Sequence, residues 1–500
     1  MLYNWLKVFT CKLYVKKKRR NMSTNSIVAE VREGTYGSKV AAIEPGGAEF
    51  IPLAERHGKA RDLFSIWATP NLEFATVFVG MIAVLFFGLN IWQATLAVVL
   101  GSLLGSISHG LLGARGPFFG VPQMVISRIP FGWKGNAVPS GLNALLASLG
   151  WFAVNTVTGT FALTSLLNIP IVISLVVVVA VQVVFAYFGH NMIHKTNKIL
   201  FPFSVVAFVL AFIWIVPSAD YSVNAGSGSL GGFLIAMGAA FGYASGWNTF
   251  ASDYSRYLPA DSSKKAVALW SGAGLFLSCS ILMFLGVLAA TLVAPEGSTP
   301  TDQFTSSMPT LIAAIVLLAV LAGSVIGNSL NVYSATMSFL SLPIKISSSA
   351  RRTIATVVFG AAGGVVAYFG LQDPSRYTNF LLIIAYWVAP WLGVVFMDQY
   401  LRRKHTVSGF LFDKKHNPIA GVVAFVAALV ISVWLFSNQV MYVGLVPAQI
   451  PAFGDSAPAI GFVLAAVIYA VLFKFQKSPQ DEVLVIETPE PPKKRAAKKK

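Results

Sequence analysis

Charge is the scarcest commodity in this chain. Only 11% of its 500 residues are Asp, Glu, Lys or Arg, where a soluble globular chain carries about 25%. A water-facing surface of ordinary polarity is therefore excluded. Acids are scarcer than bases, with 20 Asp and Glu against 37 Lys and Arg, for a net charge of +17. Cysteine is almost missing. Cys11 and Cys279 are too few for a disulfide framework and show no metal-ligand spacing with the six histidines. No phosphate-binding loop, metal motif or nucleophile–base pair is visible, so no cofactor or metal is expected and an enzyme reading lacks its chemistry. What the chain has in excess is apolar surface, 55% of residues with a mean hydropathy of +0.68. That surface comes in runs of about twenty residues, the length of a membrane-crossing helix.

Twelve such spans are expected, at about 62–88, 91–113, 138–166, 170–190, 199–217, 229–254, 266–294, 308–342, 352–370, 377–399, 418–436 and 457–474. The distribution of positive charge tests this count. With both termini on the cytoplasmic side, all Lys and Arg except Arg376 fall inside, and the outer loops carry Asp220, Glu296, Asp302, Asp373 and Asp455. One span more or fewer would scramble the pattern. The +17 is thus a topology signal, and nucleic acid is not an expected partner.

Residues 1–61 read as a cytoplasmic tail. The apolar stretch Met1 to Val15 precedes the basic run Lys16 to Arg20, the reverse of a signal peptide, so none is assigned; Met22 is an alternative start. Gly34 to Gly58 lacks a sustained period and is expected to be flexible. Residues 475–500, rich in proline and charge and ending in Lys498-Lys499-Lys500, are expected to be a disordered basic cytoplasmic tail.

Two spans carry helix-breaking signals near mid-depth. Span 1 reads Thr69-Pro70-Asn71-Leu72-Glu73, and span 6 reads Gly242-Tyr243-Ala244-Ser245-Gly246-Trp247-Asn248-Thr249. Proline removes a backbone donor, and paired glycines weaken a helix. Five spans separate the two breaks, so spans 1–5 (about 62–217) would return in spans 6–10 (about 229–399) with inverted topology, leaving 418–474 as accessory helices. Interrupted helices at matching positions of inverted halves point to a transport site.

Polar groups cluster at that depth. Trp151 and Asn155 are four apart on span 3, hence on one face. An indole plate above an amide suits a flat heterocycle, ring face on one and ring edge on the other. The plainer alternative is that Trp151 packs between helices while Asn155 bonds a neighbouring backbone. Trp247 and Asn248 on span 6 and Asn328 and Asn331 on span 8 lie at similar depth, and Glu73 is the single acid placed deep in a span. Asp253 and Arg256 are read as anchors of a helix end, and His109 as a packed histidine.

Several motifs carry a family resemblance. The loop from Gly116-Pro117 through Val121-Pro122-Gln123-Met124-Val125-Ile126-Ser127-Arg128 to Phe131-Gly132 resembles the signature of the purine and cytosine permeases, within the nucleobase:cation symporter family. Gly150 to Asn155, Gly246-Trp247-Asn248, Ala251 to Pro259 and Asn331 to Ser334 resemble it too, and the resemblance spans about residues 60–475. It implies an all-α, twelve-helix, five-plus-five inverted-repeat fold working by alternating access. By motif position Trp151 resembles the stacking residue, Asn155 its hydrogen-bonding amide and Asn331 the site asparagine of span 8, with Asn328 close by; Trp247 resembles a second aromatic wall. One departure concerns the coupling ion. Sodium-coupled members place two hydroxyl residues where this chain has Val325 and Ile326.

The expected function is symport of a nucleobase, cytosine or a purine, through the plasma membrane with H+, Glu73 carrying the proton. The alternative is uptake of a hydantoin, an allantoin-like compound or a vitamin pyrimidine, with Na+ as the other candidate ion. A membrane-embedded enzyme and a non-transporting receptor are the other classes. The first lacks a catalytic constellation, the second a soluble domain.

Overall fold

A computed structural model describes residues 26–32, 47–188, 190–292, 299–344, 348–371, 376–476 and 482–485. The runs Lys16 to Arg20 and Lys498 to Lys500, the alternative start Met22, and the loop residues Glu296, Lys345 and Asp373 lie outside the described residues. Those described are overwhelmingly helical. Seven helices are long and apolar enough to cross a membrane, and a bent pair, Asp62–Asn71 with Phe74–Leu85, makes an eighth. Four shorter apolar helical stretches, Ile171–Phe185, Val357–Gly370, Ala420–Phe436 and Ala457–Phe473, fall where spans 4, 9, 11 and 12 were expected.

Local chemistry starts the helices where hydropathy placed them. Span 2, Ile91–Gly113, opens with a capping box in which Asn90 and Gln93 satisfy each other's backbone donors. Ser229 and Ser263 cap spans 6 and 7 in the same spirit. Between helices, packing relies on small residues, as it must where lipid is no less apolar than protein. A methyl on Gly80 of span 1 would sit 1.8 Å from the Met283 carbonyl of span 7, and one on Gly286 of span 7 would sit 1.8 Å from Val77 of span 1. These two helices meet backbone to backbone.

The tails depart from expectation. Val483–Val485, in a segment expected to be disordered, forms a strand (β2) that pairs in parallel with Ser26–Val28 (β1), Ser26 opposite Val483. Phe50, Ile51 and Arg56, inside the stretch expected to be flexible, are buried. Guanidinium groups explain this order. Arg56 donates to the carbonyls of Ile51 (3.2 Å) and Pro117 (2.5 Å). Arg128 donates to those of Leu411 (3.0 Å) and Ser341 (2.9 Å), and Arg256 to that of Gly47 (2.7 Å). Arg32 pairs with Glu55 and donates to the Tyr257 hydroxyl. Loop carbonyls without helix partners must be satisfied somehow, and a five-donor planar fork does so from a distance. The arginines counted in sequence as topology markers thus also stitch tail, loops and helix ends into one layer.

The candidate substrate and proton site

Span 1 is two helices joined by a bend of 59°. Asp62–Ala68 tightens into the 3-10 turn Thr69–Asn71, the backbone leaves the helix at Leu72 and is extended at Glu73, and Phe74–Leu85 begins anew. Glu73 (φ −154°) caps the second half, its carboxylate accepting the Ala75 N–H at 2.8 Å. The side chain is fully buried, and among the described residues no cation pairs with it. Thr158 of span 3 donates to Oε2 (3.3 Å) and Tyr243 of span 6 to Oε1 (3.2 Å). Asn71 is saturated. It donates to the Trp67 carbonyl at 2.6 Å and accepts from the Trp247 indole at 2.9 Å.

Span 6 is wound differently from the expected break. Leu230–Gly246 passes through the 3-10 turn Trp247–Phe250 into Ala251–Ser255, and the whole of Leu230–Ser255 reads as one 26-residue helix. It tightens but does not bend like span 1. Glycine permits a break without removing a donor, and here the donors stay paired. Span 3 has an irregularity that sequence did not reveal: a π-helical turn over Leu146–Trp151. Such bulges often mark functional sites, and this one ends on Trp151.

Trp151 stands with its ring edge-on to Tyr243 (centroids 5.4 Å, 88°) and to Phe380 of span 10 (5.0 Å, 81°). Its indole lies on the Gly246 backbone, where a methyl would come within 2.7 Å of Cζ2. One turn on, the Asn155 amide makes no side-chain hydrogen bond among the described residues. It rests against Gly327 of span 8, whose added methyl would meet Asn155 Nδ2 at 2.7 Å and the Pro70 carbonyl at 3.7 Å. The plate, the open amide and the span 1 break therefore do converge.

The other amides are engaged. Asn248 donates to Ser108 of span 2 at 2.6 Å. Asn328 donates to the Phe152 carbonyl (2.9 Å) and to Thr156 Oγ1 (3.1 Å), bolting span 8 to span 3. Asn331 leans on Asn328 at 3.4 Å. Trp247 faces the span 1 break and packs edge-on to Trp67 (6.0 Å). His109 packs edge-on to Trp67 at 4.2 Å, and Asp253 accepts the Gln123 N–H at 2.8 Å, anchoring the helix end as read from sequence. Val325 and Ile326 are buried and apolar. Ser324 donates to the Leu321 carbonyl, and its hydroxyl faces Gly159 of span 3. Residues that sequence reasoning left without a role are Thr76, Thr158, Tyr243 and Phe380. Thr158 had a signal, standing three residues past Asn155 on the same face; Phe380 had none.

A cavity of about 160 Å³ adjoins this cluster. It lies toward the loops joining spans 3–4, 7–8 and 9–10, among Phe74, Phe78, Val157, Phe161, Tyr377 and Phe380. Thr158 lines it and also touches Glu73.

A helical membrane body with a polar centre, one interrupted span and a lateral aromatic cavity defines a multi-pass membrane transporter. Comparison with known proteins makes the class specific. The family of permeases for cytosine/purines, uracil, thiamine and allantoin matches residues 50–453. The protein named "Putative purine-cytosine permease YxlA" of Bacillus subtilis is 32% identical over 447 residues, covering 86% of this chain and 96% of the relative. The purine-cytosine permease fcyB of Emericella nidulans is 28% identical, over 87% and 89%. Among solved structures, Mhp1, a nucleobase-cation-symport-1 family transporter in a closed conformation with bromovinylhydantoin bound, aligns with a TM-score of 0.64 at 19% identity over 87% of this chain and 95% of that one. The chain belongs to the nucleobase:cation symporter family, in its purine/cytosine permease branch. That family consists of permeases, not enzymes.

Proposed function

We propose that the protein imports cytosine or a purine through the plasma membrane together with a proton, by alternating access. The observation that carries this reading is the open Asn155 amide one turn from the Trp151 ring. Asn71, Asn248, Asn328 and Asn331 each donate a side-chain hydrogen bond within the protein, whereas Asn155 makes none among the described residues, which leaves its amide to read a ligand's edge while the indole takes its face. The named relatives that match along most of the chain are purine-cytosine permeases, which supports the substrate class. In this reading there are twelve spans, both termini are cytoplasmic, spans 1–5 and 6–10 are inverted repeats, and residues 418–474 are accessory. Trp247 walls the site through Asn71. Asn331 approaches the ligand from span 8, whereas Asn248 and Asn328 hold the walls in place.

Glu73 carries the proton. It is buried, it has no cationic partner among the described residues, and it sits where the span 1 break meets spans 3 and 6. A buried carboxylate without a counter-ion is costly, and a proton removes that cost. The two positions that would offer sodium its hydroxyls are Val325 and Ile326.

Two measurements test this. Uptake of labelled cytosine into cells lacking their own permeases, with unlabelled purines, a hydantoin, allantoin and thiamine as competitors, tests the substrate. A hydantoin outcompeting every nucleobase would overturn it. Proteoliposomes under imposed gradients test the ion. Glu73→Gln mimics the protonated acid, so it should keep base counterflow and lose accumulation, with uptake nearly independent of external pH. Uptake driven by sodium alone and preserved in Glu73→Gln would leave Glu73 a helix cap.

A further inference from the structure

Glu73 is the first of four oxygens in a row. Its Oε1 lies 3.2 Å from the Tyr243 hydroxyl, that hydroxyl lies 2.5 Å from Thr76 Oγ1, and Thr76 Oγ1 lies 2.7 Å from the Asn71 carbonyl. Three contacts need three hydrogens. Tyr243 and Thr76 bring one each, and the carbonyl brings none. With Glu73 ionised, both ends of the row are pure acceptors, and one contact must go without a hydrogen. The short Tyr243–Thr76 contact would then set two oxygens against each other, the Asn71 carbonyl would be released, or the carboxylate would face the Tyr243 oxygen with no hydrogen between them. With Glu73 protonated, every link is made in one direction: Glu73 to Tyr243, Tyr243 to Thr76, Thr76 to Asn71.

The ends of this row matter. Thr76 and Asn71 flank the span 1 break, and Tyr243 belongs to span 6. The ring of Tyr243 is also the edge on which Trp151 stands. Resting on the assignment of Glu73 as proton carrier, we propose that Tyr243 is the positioning residue through which that proton fastens the span 1 break to span 6 and to the substrate plate. The row is closed when the acid is protonated and opens at one link when the proton leaves. A second tie between the same two spans, Trp247 to Asn71, has an indole donor and is indifferent to the proton, so the helices stay together while their register is free to change. Among the described residues nothing else nearby is placed to do this. The titratable groups facing the carboxyl are Tyr243 on span 6, Cys279 on span 7 and Tyr377 on span 10. Tyr377 donates instead to the Ala75 carbonyl. Spans 3 and 8 present Thr158 and Gly323, neither of which titrates.

The test uses the full chain in proteoliposomes, with cytosine counterflow, proton-driven accumulation and protons moved per base measured side by side. Tyr243→Phe keeps the ring against Trp151 and deletes the hydroxyl. Counterflow should stay near the parent level, while the proton-to-base ratio and the response to external pH fall by about tenfold, within the usual range for coupling between two sites. Thr76→Val should give the same signature and Thr76→Ser should restore coupling. Glu73→Gln is run in parallel. If it retains proton-driven accumulation, the Glu73 assignment fails. If Glu73→Gln is uncoupled and Tyr243→Phe keeps the parent ratio and pH profile, the role of Tyr243 fails alone. Loss of counterflow in Tyr243→Phe, or equal behaviour of Thr76→Val and Thr76→Ser, would make the row structural and overturn the proposal.

Discussion

Spans 1 and 6 carry similar warnings in sequence and end up unlike each other. Span 1 turns through 59° and exposes a chain end that Glu73 caps with its own side chain. Span 6 winds tighter for four residues, with Gly246 at φ −53° and ψ −35°, and goes on. The contrast separates two functions of helix-weakening residues. At span 1 the interruption is held open by polar side chains that replace the missing backbone bonds: Asn71 takes the Trp67 carbonyl, Thr76 takes the Asn71 carbonyl and Glu73 takes the Ala75 N–H. At span 6, Gly246 is a seat. Its lack of a side chain lets the Trp151 indole lie on the backbone.

Substitution at the seat should have the largest effect. Alanine is the better helix former by about 1 kcal/mol, so a span 6 that merely needed helical stability would gain from Gly246→Ala. We expect the opposite for transport. The added methyl would stand 2.7 Å from Trp151 Cζ2, and the displaced indole should lose roughly 1–3 kcal/mol of base binding, on the scale of aromatic–base stacking. Trp151→Ala should lose a similar amount, and the double substitution little more, because the two changes remove one interaction. Apparent affinities for cytosine of the three variants give the answer; additive losses would mean that Gly246 serves something other than the plate.

The amides sharpen the same distinction between scaffold and site. Asn328→Ala removes both bonds that tie span 8 to Phe152 and Thr156 of span 3, at a cost of about 1–2 kcal/mol between membrane helices. It should lower the unfolding temperature and depress uptake of every substrate alike. Asn155→Ala breaks no side-chain hydrogen bond among the described residues. It should leave the unfolding temperature near the parent value and reorder the competitors, since a site built to hydrogen-bond one ligand rejects analogues lacking the group. A uniform loss in Asn155→Ala with a lowered unfolding temperature would place it with Asn328.

This is also where the sequence stopped being legible. The spans follow from hydropathy, and the span 1 break from Pro70 with Glu73 behind it. Depth alone put Trp151, Asn155, Asn328 and Asn248 at one level. Which amide stays open depends on partners far along the chain: Phe152 and Thr156 for Asn328, Ser108 for Asn248. No local pattern encodes those meetings. The π-helical turn before Trp151 leaves no trace in hydropathy, because one extra residue in a turn keeps the composition apolar. The pairing of Ser26–Val28 with Val483–Val485 joins two short segments whose polar neighbourhoods mask two apolar residues in one and three in the other.

The smallest expected effect concerns the residue that drew attention to span 1 first. A proline in a helix interior costs about 3 kcal/mol. If Pro70 causes the bend, Pro70→Ala should recover much of that and straighten the span. The structure argues otherwise. Pro70 lies in the 3-10 turn Thr69–Asn71, which continues directly from Asp62–Ala68, and the chain stays helical through Asn71 beyond it. The Leu72 N–H closes that turn on the Thr69 carbonyl at 3.0 Å, and the non-helical residues Leu72 and Glu73 come after the proline. The Asn71 side chain already occupies the Trp67 carbonyl that a continuing helix would need. The break is therefore held downstream of Pro70. Pro70→Ala should change stability by less than about 1 kcal/mol and leave coupling intact. Glu73→Ala, which removes an N-cap, should cost about 1 kcal/mol or more. Thermal unfolding of the purified variants in one detergent decides between the two causes. A rise in unfolding temperature for Pro70→Ala as large as the fall for Glu73→Ala would return the bend to the proline.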